Sequence, residues 1–222
     1  MQIRKGNIDD IPAIIPLLKK SLGESLMPKS EAFFHWKHVE NPFGISKMIL
    51  AEEDNQLIGL RTFMYWNWVR GEEICRAVRA VDTATDPAYY GKGIFSKLTM
   101  KAVQECIDEK TDLVFNTPNP ISMKGYLKMG WHKNGKLPIL LGFPFVFPRR
   151  ANPKVIDDLY TLFSSKTQIS KLTEQWSLKP NDKIYHTPIN KNYLYWRFAT
   201  CPVTNYGALI EPGKFGCIFR LK

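Results

Sequence analysis

The sequence has no uninterrupted apolar run of the roughly 18 residues that a membrane-crossing helix requires. Its opening, Met1-Gln2-Ile3-Arg4-Lys5-Gly6, lacks the apolar stretch of a secretory signal. A cytoplasmic protein with no membrane partner is therefore the expectation. Cysteine is scarce: four residues, Cys75, Cys106, Cys201 and Cys217, lie far apart with no C-x-x-C pair. That spacing speaks against a metal site and a disulfide framework, so free or buried thiols and no metal are expected. Acidic residues are also in short supply, 21 against 31 Lys and Arg, which leaves a formal charge of +10. Such an excess favours an anionic partner. The basic residues are dispersed and form no tail, so nucleic acid is not expected and a phosphorylated small molecule suits the charge better.

Core material is plentiful. Apolar residues make up 44% of the 222 and aromatics 13%, a length that is long for one compact domain and short for two.

The hydrophobic period orders the chain. A short strand opens at Ile3. Ile11, Ile14, Ile15, Leu18 and Leu22 then recur at helical spacing behind the capping residues of 7–10. Pro12 suits a first turn, whereas Pro16 predicts a helix that kinks or starts late. A second helix is predicted over 32–39. Three antiparallel strands follow at 47–53, 56–70 and 74–85, with Asp54-Asn55 as the first turn. From Ile94 the period changes: Ile94, Leu98, Ala102 and Cys106 fall four apart, with Phe95, Val103 and Ile107 beside them, giving an amphipathic helix. A short strand at 112–117, a helix at 120–129 stopped by Gly130, and two more strands within 131–147 complete the pattern.

Between the third strand and that helix lies Tyr90-Gly91-Lys92-Gly93-Ile94-Phe95. A helix start leaves its first N–H groups unpaired, and together with the helix dipole they attract an anion. Glycine removes the Cβ atoms that would keep a phosphate away. A plain surface turn explains the glycines equally well when they are taken alone. Neither the three-phosphate loop nor a full G-x-G-x-x-G is present, because position 96 is Ser96.

Two stretches in order carry a resemblance. Tyr90-Gly91-Lys92-Gly93-Ile94-Phe95 precedes a helix. Asn119-Pro120-Ile121-Ser122 then leads to Tyr126-Leu127-Lys128-Met129-Gly130-Trp131. These resemble the two motifs of the GNAT superfamily of N-acetyltransferases, and the order of elements over 1–147 matches as well. Tyr90 stands where that family usually has Gln or Arg, and Phe95 where it has Gly or Ala. The resemblance implies an α/β fold of the α+β type, with a mixed, mostly antiparallel central sheet flanked by helices. It implies acetyl-CoA as co-substrate and an amine acceptor as partner. It also implies two parallel strands, 78–85 and 112–117, that part at a bulge. Main-chain groups of Thr83, Ala84 and Thr85 would pair with the pantetheine like an added strand. Tyr90, Gly91, Lys92, Gly93, Ile94, Phe95 and Ser96 would hold the pyrophosphate, and Asn119 would touch the cofactor. Tyr126 matches the tyrosine that protonates the leaving thiolate. Asp82 is the candidate general base by its strand, although the positions usually occupied by such acids are Arg79 and Val81 here. Glu52, Glu53, His35 and His38 are candidates by kind only, and water is an alternative.

The remainder exceeds one such domain. Residues 1–148 read as the acyl-CoA-binding domain and 149–192 as a helical linker, with an apolar stripe at Val155, Ile156, Leu159, Leu162 and Phe163. Residues 193–222 read as a partial second GNAT-like module, because Tyr193 to Pro202 echoes Phe33 to Pro42 with Trp196 160 residues after Trp36. Either the chain is cut short, or this half-module packs on the first domain or on another copy. A dimer through the last strands is the matching expectation.

An acyl-CoA-dependent N-acyltransferase is thus the leading reading. An aminoacyl transferase drawing on aminoacyl-tRNA, or a non-catalytic acyl-CoA-binding module, are the alternatives. The acceptor pocket is left open, because variable loops build it.

Overall fold

The computed structural model describes residues 1–24, 28–136, 161–162, 183–211 and 215–220. Five strands form the main sheet in the order β1 (Gln2–Lys5), β2 (Lys47–Glu53), β3 (Gln56–Arg70), β4 (Glu73–Thr85) and β5 (Leu113–Phe115). Neighbours are antiparallel except β4 and β5, which run parallel. The β2–β3 turn is the Asp54-Asn55 pair, with φ of 50° and 60°. Asp and Asn tolerate this region better than most residues, and it matches the twist of a tight hairpin.

Period-two alternation splits the sheet's side chains into two cores. Met48 and Leu50 of β2 join Leu60, Ala84 and Phe34 under α1 (Ile11–Leu22) and α2 (Glu31–His38). Ile49 and Ala51 join Phe63, Val78 and Ala80 under α3 (Ile94–Asp108) and Tyr126 of α4 (Pro120–Lys128). The stripe Ile94, Leu98, Ala102 and Cys106 is buried as its spacing demands. Helix α1 does not start late. A 3-10 turn at Ile8–Asp10, closed by a capping box from Asn7, feeds α1 directly, and the helix runs through Pro16.

The C-terminal part holds a second sheet of β6 (Thr161–Leu162), β7 (Gly207–Glu211) and β8 (Phe215–Phe219), in that order and antiparallel. The helical reading of the stretch from Val155 to Phe163 is corrected at Thr161 and Leu162, which pair with Ala208 and Gly207 as a strand. A two-residue strand leaves no trace in hydrophobic spacing. The rest of that stretch, the strands expected at 137–147 and the boundary at 148 lie outside the described residues. Residues 131–136 carry no regular structure.

Helix α5 (Lys191–Leu194) continues as a wider π-type turn, Tyr195–Ala199. Its cap, Asn190, accepts from the Tyr193 amide as Ser30 caps α2 by accepting from Phe33, a shift of 160 in each residue. The two helices meet through their tryptophans. Trp36 Nε1 donates to the Trp196 carbonyl at 2.8 Å, and Trp196 Nε1 donates to the Trp36 carbonyl at 2.8 Å. The rings stack at 5.1 Å. Each buried indole N–H thereby finds its acceptor on the other helix.

Candidate functional site

The site grows from an irregularity in β4. The pairing slips between Leu60 and Thr62 of β3, so that Leu60 faces Ala84 while Thr62 faces Val81. The extra residue is accommodated at Asp82, which has φ of 40°. Thr62 Oγ1 donates to the Val81 carbonyl at 2.6 Å beside it. Such a bulge reverses which face later side chains point to. Val78 and Ala80 lie on the α3 face, whereas Ala84 lies on the α1 face. The β4–β5 ladder ends just before the bulge, at Arg79 and Phe115. From Ala80 to Thr85, β4 has no paired neighbour on that side among the described residues, so the seam between the parallel strands is open.

Beyond the seam, Asp86 turns the chain by accepting from the Ala88 amide, and the glycine turn follows. Gly91 and Gly93 have φ of 79° and 74°. Gly93 is the N-cap of α3 and offers no side chain to its first amides. A Cβ at either glycine would meet nothing within 4 Å. The requirement for glycine here comes from the left-handed backbone and the space it leaves, not from crowding. A groove of about 680 Å³ lies elsewhere, along α2 and Pro202. The groove at the glycine turn is smaller, about 420 Å³, and its lining includes Gly91, Gly93 and Phe95 together with Thr83 and Thr85 of the open seam.

The other expected residues sort themselves around this groove. Tyr90 and Ile94 line it too. Tyr90 is exposed, and Ile94 is buried in the core. Ser96 lies in the first turn of α3 but not in the lining. Lys92 sets its ammonium 4.3 Å from the centre of the Tyr89 ring. Ala84 turns its side chain into the α1 core, which leaves only its main chain for a ligand. Asn119 serves as a helix cap: its Oδ1 accepts from the Ser122 amide at 2.8 Å and from the Ser122 hydroxyl at 2.9 Å. Phe95 packs edge-on against Tyr126 at 5.4 Å. Gly125 makes room for it, since a Cβ there would come within 2.9 Å of the ring.

Tyr126 is buried among Phe95, Trp131 and the β-sheet. Its hydroxyl accepts from Arg61 Nη2 at 2.5 Å. Arg61 also donates to the Thr83 hydroxyl. It is 1% exposed, and burial pushes the guanidinium pKa below its usual value. The sequence reading passed over Arg61. The available signal is one arginine among Leu57, Ile58, Leu60, Phe63 and Met64.

Asp82 points to the opposite face. Its Oδ2 accepts from Lys37 Nζ at 2.6 Å and from His38 Nε2 at 2.6 Å. Burial works against ionisation of Asp82, but the Lys37 ammonium and the His38 hydrogen bond outweigh it and hold the carboxyl well below the usual range. Burial lowers the His38 pKa, and Asp82 only partly offsets that. His38 Nδ1 completes the chain with the Ser46 hydroxyl at 2.9 Å. Glu52 pairs with Arg4, Glu53 with the N-terminus, and His35 with Glu40. None of these three reaches the groove lining. Among the described residues no group of three His, Cys, Asp or Glu could hold a metal, and no helix is long and apolar enough to cross a membrane.

The sequence matches a known family. Residues 2–133 match the family described as the acetyltransferase (GNAT) domain, and the chain belongs to it. No curated protein matches the chain. Solved structures share the fold at low identity. A predicted acetyltransferase of Clostridium acetobutylicum, solved with acetyl-CoA, is 19% identical with a TM-score of 0.53, over 63% of this chain and 95% of its own. A GCN5-related N-acetyltransferase of Ralstonia eutropha is 14% identical with a TM-score of 0.52, over 63% of this chain and 97% of its own. A transcriptional regulator of Bacillus halodurans is 18% identical with a TM-score of 0.50, over 64% and 99%. The fold alone therefore does not select the chemistry.

Proposed function

We propose that the chain is an acyl-CoA-dependent N-acyltransferase that moves acetyl from acetyl-CoA to a primary amine of a small molecule, amino sugar or peptide. The observation that carries this reading is the continuity of the groove from Gly91 and Gly93 to Thr83 and Thr85. The uncapped amides at the start of α3 suit a diphosphate, and the unpaired edge of β4 suits the amides of the pantetheine arm. Gly91, Gly93 and their neighbours would hold the first, and Thr83, Ala84 and Thr85 the second. The acyl donor supplies an activated carbonyl. Tyr126 would give its proton to the departing sulfur. Asp82, held by two cations, is a poor proton acceptor, so we assign it to anchoring α2 at the bulge and leave deprotonation of the amine to water.

We also infer that residues 193–222 are a partial second GNAT-like module, in which Tyr193 to Pro202 echoes Phe33 to Pro42. The matching caps, the reciprocal tryptophan bonds and the shared strand order support it. The outer edge of β8 has no partner among the described residues. Pairing of that edge between two copies is the corresponding proposal, and sedimentation showing only monomer would count against it.

Acetyl-CoA is expected to raise Tm, and thiol release against a panel of amines is expected to identify an acceptor. A rise in Tm without turnover would favour a binding module. No response to acetyl-CoA, combined with salt-sensitive tRNA binding, would favour the aminoacyl-tRNA reading.

A further inference from the structure

Arg61 is a fully buried cation bonded to the Tyr126 hydroxyl. Its side chain lies under the bulge with its guanidinium 5.0 Å from the Phe63 ring centre, 5.7 Å from Phe95 and 5.3 Å from Tyr126. Among the described residues it bonds to no carboxylate, only to the hydroxyls of Tyr126 and Thr83, and its Nε finds no partner at all. The indole N–H of Trp131, which packs 5.2 Å from Tyr126, is likewise buried without a partner among the described residues. Burying a guanidinium with no carboxylate bonded to it is costly even with the charge of Asp82 acting through space, and filling the same volume with Leu or Met would avoid the cost. A buried, desolvated charge beside a cleft is a candidate for function.

The donor inventory gives its role. A guanidinium has N–H donors and no acceptor, so the Tyr126 oxygen must be the acceptor of their bond. The hydroxyl proton of Tyr126 is thereby turned away from Arg61. We propose that Arg61 is a positioning residue for acyl transfer, fixing the direction of the Tyr126 proton and stabilising the phenolate that remains once the proton has gone. This rests on the acyltransferase reading above. In the step it serves, the amine nitrogen bonds to the thioester carbonyl carbon and the carbon–sulfur bond breaks. The sulfur takes the proton of Tyr126, and the phenolate is held by the Nη2–H of Arg61. The attacking nitrogen loses its proton to water, and water returns one to Tyr126. Amine and thioester become amide and thiol with no other reactant. Without Arg61, the Tyr126 oxygen would lose its donor and the proton would be aimed less well.

The test is a double-mutant cycle on the full chain with Arg61→Met, Arg61→Lys, Tyr126→Phe and the Met/Phe double variant. Thiol release gives kcat and KM for acetyl-CoA. Arg61→Met should lower kcat by about a hundredfold, the scale for removing one preorganised donor, while KM stays within about threefold. Arg61→Lys, which keeps the charge, should recover part of the loss. In the Tyr126→Phe background the same Met substitution should cost less than about threefold, because Arg61 acts through that hydroxyl. An equal loss in both backgrounds, or wild-type kcat in Arg61→Met, overturns the proposal. If the unmodified protein releases no thiol with any amine, it is the transferase reading that falls. The arginine side-chain nitrogen NMR signals then decide the pairing without turnover. Arg61 signals that shift and exchange faster in Tyr126→Phe support the hydroxyl as its anchor, and unchanged signals overturn it.

Discussion

The two faces of the bulge in β4 treat charge in opposite ways. On the α2 face Asp82 is an anion answered twice, by Lys37 and by His38. On the α3–α4 face Arg61 is a cation bonded only to hydroxyls among the described residues, with aromatic rings around it and the charge of Asp82 acting on it through space. Both groups are pinned by the same residue insertion, and one backbone step separates Asp82 from Thr83, which bonds to Arg61. The closed arrangement behaves as a clamp between a helix and a strand. The unanswered one keeps its capacity to stabilise negative charge that arises later, which is what a departing thiolate and a phenolate require. A saturated ion pair and an unsaturated cation can thus share one bulge and serve different ends.

That contrast can be broken from either side. Tyr126→Phe removes the proton donor on the α3–α4 face, and turnover should fall by about 10²–10⁴-fold with acetyl-CoA affinity nearly unchanged. Calorimetric binding beside steady-state rates checks this, and equal rates for the two proteins would remove Tyr126 from the mechanism. Asp82→Asn strikes the other face. It strands Lys37 and the buried His38, and should cost about 2–3 kcal/mol of stability, below the range for a fully buried pair because Asp82 is partly exposed. Denaturant unfolding measures that loss. If the variant stays folded but loses turnover with no change in stability, Asp82 is a base and the clamp is wrong.

Protons sharpen the comparison further. His38 has a folded pKa below its ordinary value, so between the two the unfolded chain binds more protons than the native one. Stability should therefore be full above about pH 6.5 and decline as pH falls below it. The lowered pKa of Asp82 adds a further loss only once pH drops below the ordinary carboxylate range. Replacing His38 with Gln should flatten the dependence of Tm on pH below about 6.5, and an unchanged slope would assign it to other groups. The smallest effect belongs to the loop. Gly93→Ala forces a side chain into the left-handed region at φ of 74°, at about 1 kcal/mol. It should weaken acetyl-CoA binding more than it lowers Tm, whereas the reverse order would make the glycine turn purely structural.

The elements that were legible in the sequence share a physical reason. The α3 stripe, the Asp54-Asn55 turn and the strands of the meander are local patterns, set by period and turn chemistry over fewer than twenty residues. The glycine turn was legible through motif spacing, which also marked Tyr126 as a candidate. The role of Arg61 was hidden because it depends on three elements converging, β3, the bulge in β4 and α4, and an arginine in an apolar strand does not name its partners. Asp82 was located in the correct strand, but its partners Lys37 and His38 come from α2, 45 and 44 residues away. Its positive φ turns it to the face away from Tyr126. The strand at Thr161–Leu162 was illegible because only its pairing with β7 defines it. The tryptophan echo, by contrast, was visible as a spacing, and the reciprocal bonds give that spacing a physical meaning.

The central claim is that the open edge of β4 and the start of α3 receive one elongated, diphosphate-bearing ligand. Backbone amide NMR during a titration with acetyl-CoA tests it most directly. The account predicts saturable shifts at Thr83, Ala84, Thr85 and across Gly91 to Ser96, with residues 30–40 and 190–203 unmoved. Shifts confined to that second set, along the α2 groove, or no saturable shift at the glycine turn, would contradict it.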